Sequence, residues 1–236
     1  MVRDETNFKG LMQAIYPGGL AGKSFLDSAC NCGAYSFWMA DLGATRTFGF
    51  DARDKWIDQA NFLKSHRAGF SEGCQFQVSD LYALPRLGLS PFDITLFKGI
   101  FYHLPDPIGG LRLVADLTRE LLIVGTATRL SITPGLVLAN ENVQHLMSGI
   151  HGTNWFPTSP RVVQRLLMDM GFKEFRTTFW HKLPRWKSTG NRGLLHYCKN
   201  LLKATGRTEV LAARTPGFFE HLDRSGFTRR YDVPQD

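Results

Sequence analysis

Short apolar runs that alternate with amphipathic segments constrain this chain more than any other feature. Residues 24–29 (SFLDSA), 46–51 (RTFGFD), 75–79, 92–98 (FDITLFK) and 121–127 (LLIVGTA) each read as a buried strand. Helical segments separate most of them, at Ala34 to Leu42, 54–66 and 108–119. The stretch 54–66 is the clearest, with Trp56, Ala60 and Leu63 on one face and charges on the other. Strand and helix alternating at this spacing build βαβ units, and therefore an α/β fold around a mostly parallel sheet. Residues 5–16 add a short helix ahead of the first strand, stopped by Pro17-Gly18-Gly19.

The second half is less regular. Ser159-Pro160 reads as a cap followed by a proline at the first helical position, opening a helix over 159–171 that Gly171 ends. KEFRTTFW (173–180) and EVLAA (209–213) are further strand candidates. Between them, from Lys182 to Arg207, stand seven Lys or Arg and no Asp or Glu, so a basic insertion at about 182–207 is expected. Its apolar residues Leu194, Leu195, Tyr197, Leu201 and Leu202 recur at spacings suited to a helix. The tail 216–236 shows no pattern. One domain over 1–236 accommodates all of this.

Composition removes several classes. No apolar run approaches the roughly 20 residues of a membrane span. The opening MVRDETNFKG lacks the apolar stretch of a secretory signal, so a cytoplasmic protein is expected. Of the four cysteines, only Cys30 and Cys32 are close in sequence, and no second pair completes a ligand set, so no metal site is expected. The net charge of +7 suits an anionic partner, nucleic acid included, but only weakly.

Candidate chemistry gathers at the strand ends, where open α/β sheets bind ligands. After the first strand comes Asp27-Ser28-Ala29-Cys30-Asn31-Cys32-Gly33. The glycine triplet of the dinucleotide fingerprint is absent. Asn tolerates the left-handed backbone, so Ala29, Asn31 and Gly33 can stand in for three glycines. Asp51 ends the second strand, where a carboxylate can accept both hydroxyls of a ribose; helix capping is the other use, with Asp54 as competitor. Asp80-Leu81 follows the third strand, where the acid can accept from an adenine amino group or serve an Asx turn. Acids near the ends of three successive strands, with a small-residue turn after the first, form the stronger pattern together.

The run LDSACNCG, followed by TFGFDAR, QVSDLYALP and FDITLFKGIFYHLPDP, resembles the class I S-adenosylmethionine-dependent methyltransferases. The Asn-containing turn, GIFYHLPDP and NWFPTSPRVVQRLLMDMGF are similar in particular to the methyltransferase domain of the tRNA wobble-uridine carboxymethyltransferase group. The resemblance implies a Rossmann-like, doubly wound seven-stranded sheet, its last strand antiparallel, with 173–180 and 209–213 as strands six and seven. It implies S-adenosyl-L-methionine as cofactor, with Asp27, Ala29 and Gly33 at the methionine part, Asp51 at the ribose, and Asp80 and Leu81 at the adenine. Lys98 and Gly99 would border the sulfonium and the substrate. Ala29 departs from the commoner Gly. The tRNA enzymes carry a substantial N-terminal extension, whereas about twenty residues precede the first strand here. The tRNA substrate is therefore not carried over, and a carboxylated cofactor is left open.

Tyr102-His103 lies just past the fourth strand, on the side where the methyl group should point. His103 is the candidate general base, because imidazole exchanges a proton near neutral pH; packing and hydrogen bonding of the pair around the pocket is the other reading. His145 and His151 bracket a Gly-rich, aromatic loop, HLMSGIHGTNWFP, suited to a substrate lid, with Trp155 and Phe156 as wall or core anchors. Asp106 before Pro107 reads as a helix cap. Three functions follow: a methyltransferase acting on oxygen or nitrogen of a small molecule, which is favoured; an RNA methyltransferase using the basic insertion; and a cofactor-binding protein without turnover.

Overall fold

The computed structural model describes residues 2–67, 73–141, 148–181 and 205–227. The elements run α1 (Val2–Ile15), β1 (Ser24–Ser28), α2 (Ala34–Asp41), β2 (Arg46–Asp51), α3 (Asp54–Ser65), β3 (Cys74–Val78), β4 (Phe92–Lys98), α4 (Pro107–Asp116), β5 (Thr118–Arg129), β6 (Leu136–Asn140), β7 (Thr153–Pro157), α5 (Pro160–Asp169), β8 (Glu174–His181), β9 (Thr205–Ala213) and α6 (Glu220–Arg224). Short 3-10 turns follow β3, at Leu81–Leu87, and β4, at Phe101–His103.

Seven strands form one sheet in the order β3-β2-β1-β4-β5-β9-β8. The first five pair in parallel, whereas β9 runs antiparallel to both neighbours. This is the α/β arrangement expected, last strand included. The near-continuous burial of β1 and β4 belongs to strands covered on both faces. Alternate residues serve the two sides. Leu26, Phe50, Phe97 and Val124 pack with α4 and α5 through Leu111, Val114, Val163 and Leu167. Phe25, Ile94, Leu96 and Ile123 pack with α1 and α2 through Leu11, Met12, Trp38 and Met39. The guanidinium of Arg214 ties helix ends to the sheet by donating to the carbonyls of Ala115, Thr118 and Met170.

Some boundaries differ from the expectation. Residues 153–157, read as loop, pair with 136–140 as a β6–β7 hairpin; this pairing is non-local and leaves little periodicity in either half. The tail is not patternless, because α6 buries Leu222, with Phe219 just before it, against the α1 side. Thr205, Gly206 and Arg207, placed in the basic insertion by the sequence, pair with β5 as the start of β9. Residues 182–204 of that basic segment, and His145, lie outside the described residues. No helix among the described residues is long and apolar enough to cross a membrane.

One packing detail fixes the entrance to α2. The ring of Phe76 lies over both Gly33 and Gly49, and a Cβ on Gly33 would sit 2.5 Å from it. Gly33 also has a φ of 78°. Gly33→Ala is therefore expected to cost about 2–5 kcal/mol, from the left-handed backbone and from overpacking together. Urea denaturation checks this; an unchanged midpoint would mean that Phe76 yields freely.

Candidate active site

The chain leaves β1 in one direction to build β2 and β3, and returns to build β4 and β5 on the other side. Loops part at such a reversal and leave a crevice beyond the strand ends. A cavity of about 340 Å³ lies there, within the usual range for a ligand pocket.

Its floor is the turn after β1. Ala29, Asn31 and Gly33 have φ of 56°, 50° and 78°. The alternate positions named from sequence are thus all left-handed, a conformation that costs a non-Gly residue roughly 1–2 kcal/mol. The backbone around them is pinned. Cys30 N donates to Phe50 O at 2.9 Å, and Asn31 N donates to Asp51 Oδ2 at 3.2 Å. The side-chain oxygen of Asn31 is buried with no hydrogen-bond partner. Cys30 is buried beside Gly49, and burial pushes its thiol well above the usual range.

Asp51 is buried at the end of β2. Besides Asn31 N, its carboxylate accepts from Arg53 N and Arg53 Nε, each at 3.1 Å. It does not cap α3, whose N-cap is Arg53. Asp80 accepts from Tyr82 N at 2.7 Å and so caps the 3-10 turn that Leu81 begins. Asp106 caps α4 by accepting from Gly109 N at 2.9 Å, as expected.

On the β4 side, Lys98 Nζ lies 3.0 Å from Glu209 Oε2 and 5.3 Å from the ring centre of Tyr35. Burial works against its charge, but Glu209 and Tyr35 outweigh it and raise the ammonium pKa. Gly99, with φ of 80°, donates to Gly125 O at 2.8 Å. Tyr102 stacks on Phe156 of β7, with ring centres 5.9 Å apart. His103 Nδ1 lies 2.7 Å from Glu141 Oε1.

One cavity wall collects Ala29, Asn31, Asp51, Asp80, Leu81, Lys98, Gly99, Tyr102 and His103. His151, the second histidine considered, also reaches it. Two residues named from sequence stand behind the wall. Gly33 is the N-cap of α2, and Asp27 is buried beneath the turn, where its Oδ2 accepts from Ser36 N and Ser36 Oγ at 3.1 and 2.9 Å. Phe156 supports Tyr102 from outside the cavity lining. Residues that sequence reading missed are Arg53, Arg207, Gly149 and Glu141. LVLAN, the segment before Glu141, is apolar without alternation and gave no signal that would have singled out that residue.

Burial raises the carboxyl of Asp27 from 3.8 to about 7, against the two Ser36 hydrogen bonds. Between those values the folded chain holds a proton that the unfolded chain has released. Stability therefore falls as pH rises through this window, by a few kcal/mol at full ionisation. Asp27→Asn keeps an oxygen for Ser36 and lacks the titration. Its stability relative to the parent should rise between about pH 4 and about pH 7 and level off above that, read from denaturant midpoints; parallel profiles would refute this.

No protein-family model matches the chain. The fold is shared with solved S-adenosylmethionine-dependent methyltransferases, and sequence relatives are named as a carboxymethyltransferase and an O-methyltransferase. A tRNA U34 carboxymethyltransferase of Campylobacter jejuni subsp. jejuni is 30% identical over 157 residues, 66% of this chain and 51% of that protein. A ubiquinone biosynthesis O-methyltransferase of Nitrosospira multiformis is 32% identical over 100 residues, 42% of this chain and 40% of that protein. The matches thus span about half or less of those relatives' length. Among solved structures, the N-terminal domain of EvdMO1, determined in the presence of SAH and D-fucose, superposes with a TM-score of 0.65 at 16% identity, covering 89% of this chain and 83% of that one.

Proposed function

We propose that the chain is an S-adenosyl-L-methionine-dependent methyltransferase that methylates oxygen or nitrogen of a small molecule, a sugar or secondary metabolite. The carrying observation is that one cavity joins the acid at the end of β2 to a histidine past β4. The residues present fit the cofactor. Asp51 takes the ribose hydroxyls, Asp80 and Leu81 the adenine, and the orphaned Asn31 oxygen is an acceptor for a cofactor donor. Lys98 and Gly99 would border the sulfonium and the substrate, and the turn after β1 would take the methionine part. When bound, the cofactor would supply an electrophilic methyl group, and an acceptor hydroxyl or amine would have to give up its proton. His103 takes that proton, and the cavity walls hold acceptor and donor in line and exclude water.

A small acceptor is favoured because Gly149, Ile150 and His151 of the β6–β7 connection line the same cavity, whose volume is about 340 Å³. The D-fucose present with the EvdMO1 domain supports a sugar. The second reading, RNA methylation, is favoured by the name of the Campylobacter relative and by the net charge of +7. Calorimetric titration with S-adenosyl-L-homocysteine tests the cofactor, and absence of binding refutes the proposal. Transfer of a labelled methyl group into a small-molecule extract, against none into tRNA, tests the acceptor. Label in tRNA, with affinity that falls steeply with salt, would replace the small-molecule reading.

A further inference from the structure

We infer that Glu141 is a positioning residue that holds His103 in the tautomer a general base needs, with the proton on Nδ1 and the lone pair of Nε2 free for the acceptor. The inference rests on the reading of His103 as the base.

The geometry is that of a carboxylate–imidazole pair. Nδ1 and Oε1 are 2.7 Å apart, and both side chains are largely buried. Gly149 N–H reaches the same two atoms, at 3.2 Å from Nδ1 and 3.1 Å from Oε1. An ionised carboxylate only accepts. Gly149 N–H can donate well to only one of the two atoms: at 2.7 Å the lone pairs of Nδ1 and Oε1 would repel, so the shorter contact carries the ring proton on Nδ1, and Gly149 N–H donates to Oε1 rather than to Nδ1. The other ring nitrogen, Nε2, has no protein partner among the described residues, and His103 lines the cavity. Gly149 closes the pair from above. A Cβ there would lie 2.6 Å from His103 Cβ and 3.0 Å from Glu141 Oε2, so the lid over the pair leaves no room for a side chain.

Glu141 Oε2 is buried without a hydrogen-bond partner. A buried carboxylate with spare capacity is unfavourable until positive charge appears beside it. That charge appears when Nε2 receives the acceptor's proton and the ring becomes imidazolium. The interaction thus strengthens along the reaction, which is the kind that raises turnover rather than uniform binding.

The experiment uses the full chain with histidine labelled with nitrogen-15, saturated with S-adenosyl-L-homocysteine, and reads the His103 tautomer from long-range proton–nitrogen correlations. The parent should carry the proton on Nδ1. Glu141→Leu should lose that preference. It should also slow methyl transfer from S-adenosyl-L-methionine into a small-molecule extract by about 10- to 100-fold, the usual scale for losing an orienting partner. Its affinity for S-adenosyl-L-homocysteine should stay unchanged. Glu141→Gln still offers an oxygen to Nδ1–H, so it should keep the tautomer and recover part of the rate; it also serves if Glu141→Leu does not fold. A parent His103 protonated on Nε2, or a Leu variant with unaltered tautomer, overturns the inference. A slow His103→Gln beside a fully active Glu141→Leu overturns the role of Glu141 alone. A fully active His103→Gln overturns the base reading, and the inference with it.

Discussion

Asp51→Ala should weaken S-adenosyl-L-homocysteine binding by about 30- to 1000-fold, or roughly 2–4 kcal/mol, the scale of a buried carboxylate accepting two hydroxyls. Two effects combine in this loss. The variant removes the acceptor proposed for the ribose. It also frees Asn31 N and both Arg53 donors, whose bonds to Asp51 hold the turn after β1 against the start of α3. Asp51→Asn separates the two, because its single carbonyl oxygen can serve the turn or the ribose but not both fully. Isothermal calorimetry gives the affinity and thermal unfolding reports the fold. Unchanged affinity in a folded Asp51→Ala protein would remove Asp51 from the cofactor site.

His103→Ala should lower single-turnover methyl transfer by about 10²- to 10⁴-fold, the range for losing a general base. Cofactor affinity should barely change, because the adenosine is assigned to residues after β2 and β3, and His103 follows β4. The structure sharpens the control. His103 packs beside Tyr102, with ring centres 4.0 Å apart, and Tyr102 in turn stacks on Phe156. Alanine removes that support along with the base. His103→Gln keeps more of the packing and should be equally slow if proton transfer is the role. A rate within a few-fold of the parent rules that role out. A raised KM with unchanged kcat would make His103 a residue that positions the acceptor.

The parts of this site legible in the sequence were those whose signal is local. Asp51 and Asp80 sit at the ends of strands that announce themselves by apolar runs, and Ala29, Asn31 and Gly33 are the small or left-handed-tolerant residues a tight strand-to-helix turn requires. Glu141 was illegible for the opposite reason. It lies 38 positions after His103, as the two residue numbers give, and only the pairing of β6 with β7 brings its carboxylate to the imidazole. Asp27 shows a third case. The resemblance implies for it a place at the methionine part of the cofactor, and its side chain turns to the start of α2 and accepts from Ser36, a choice between two neighbours that spacing cannot express.

The sequence by itself determined the alternation of strands and helices, the parallel core they build, and the crowding of acids at strand ends, because hydrophobic period and turn chemistry act over a few residues. Tertiary structure alone decided that β9 inserts between β5 and β8, that Phe76 needs glycine at both 33 and 49, and that a hairpin delivers Glu141 to His103. Each of these joins segments far apart in the chain, and their energies come from close packing and paired polar groups that exist only once the sheet has formed.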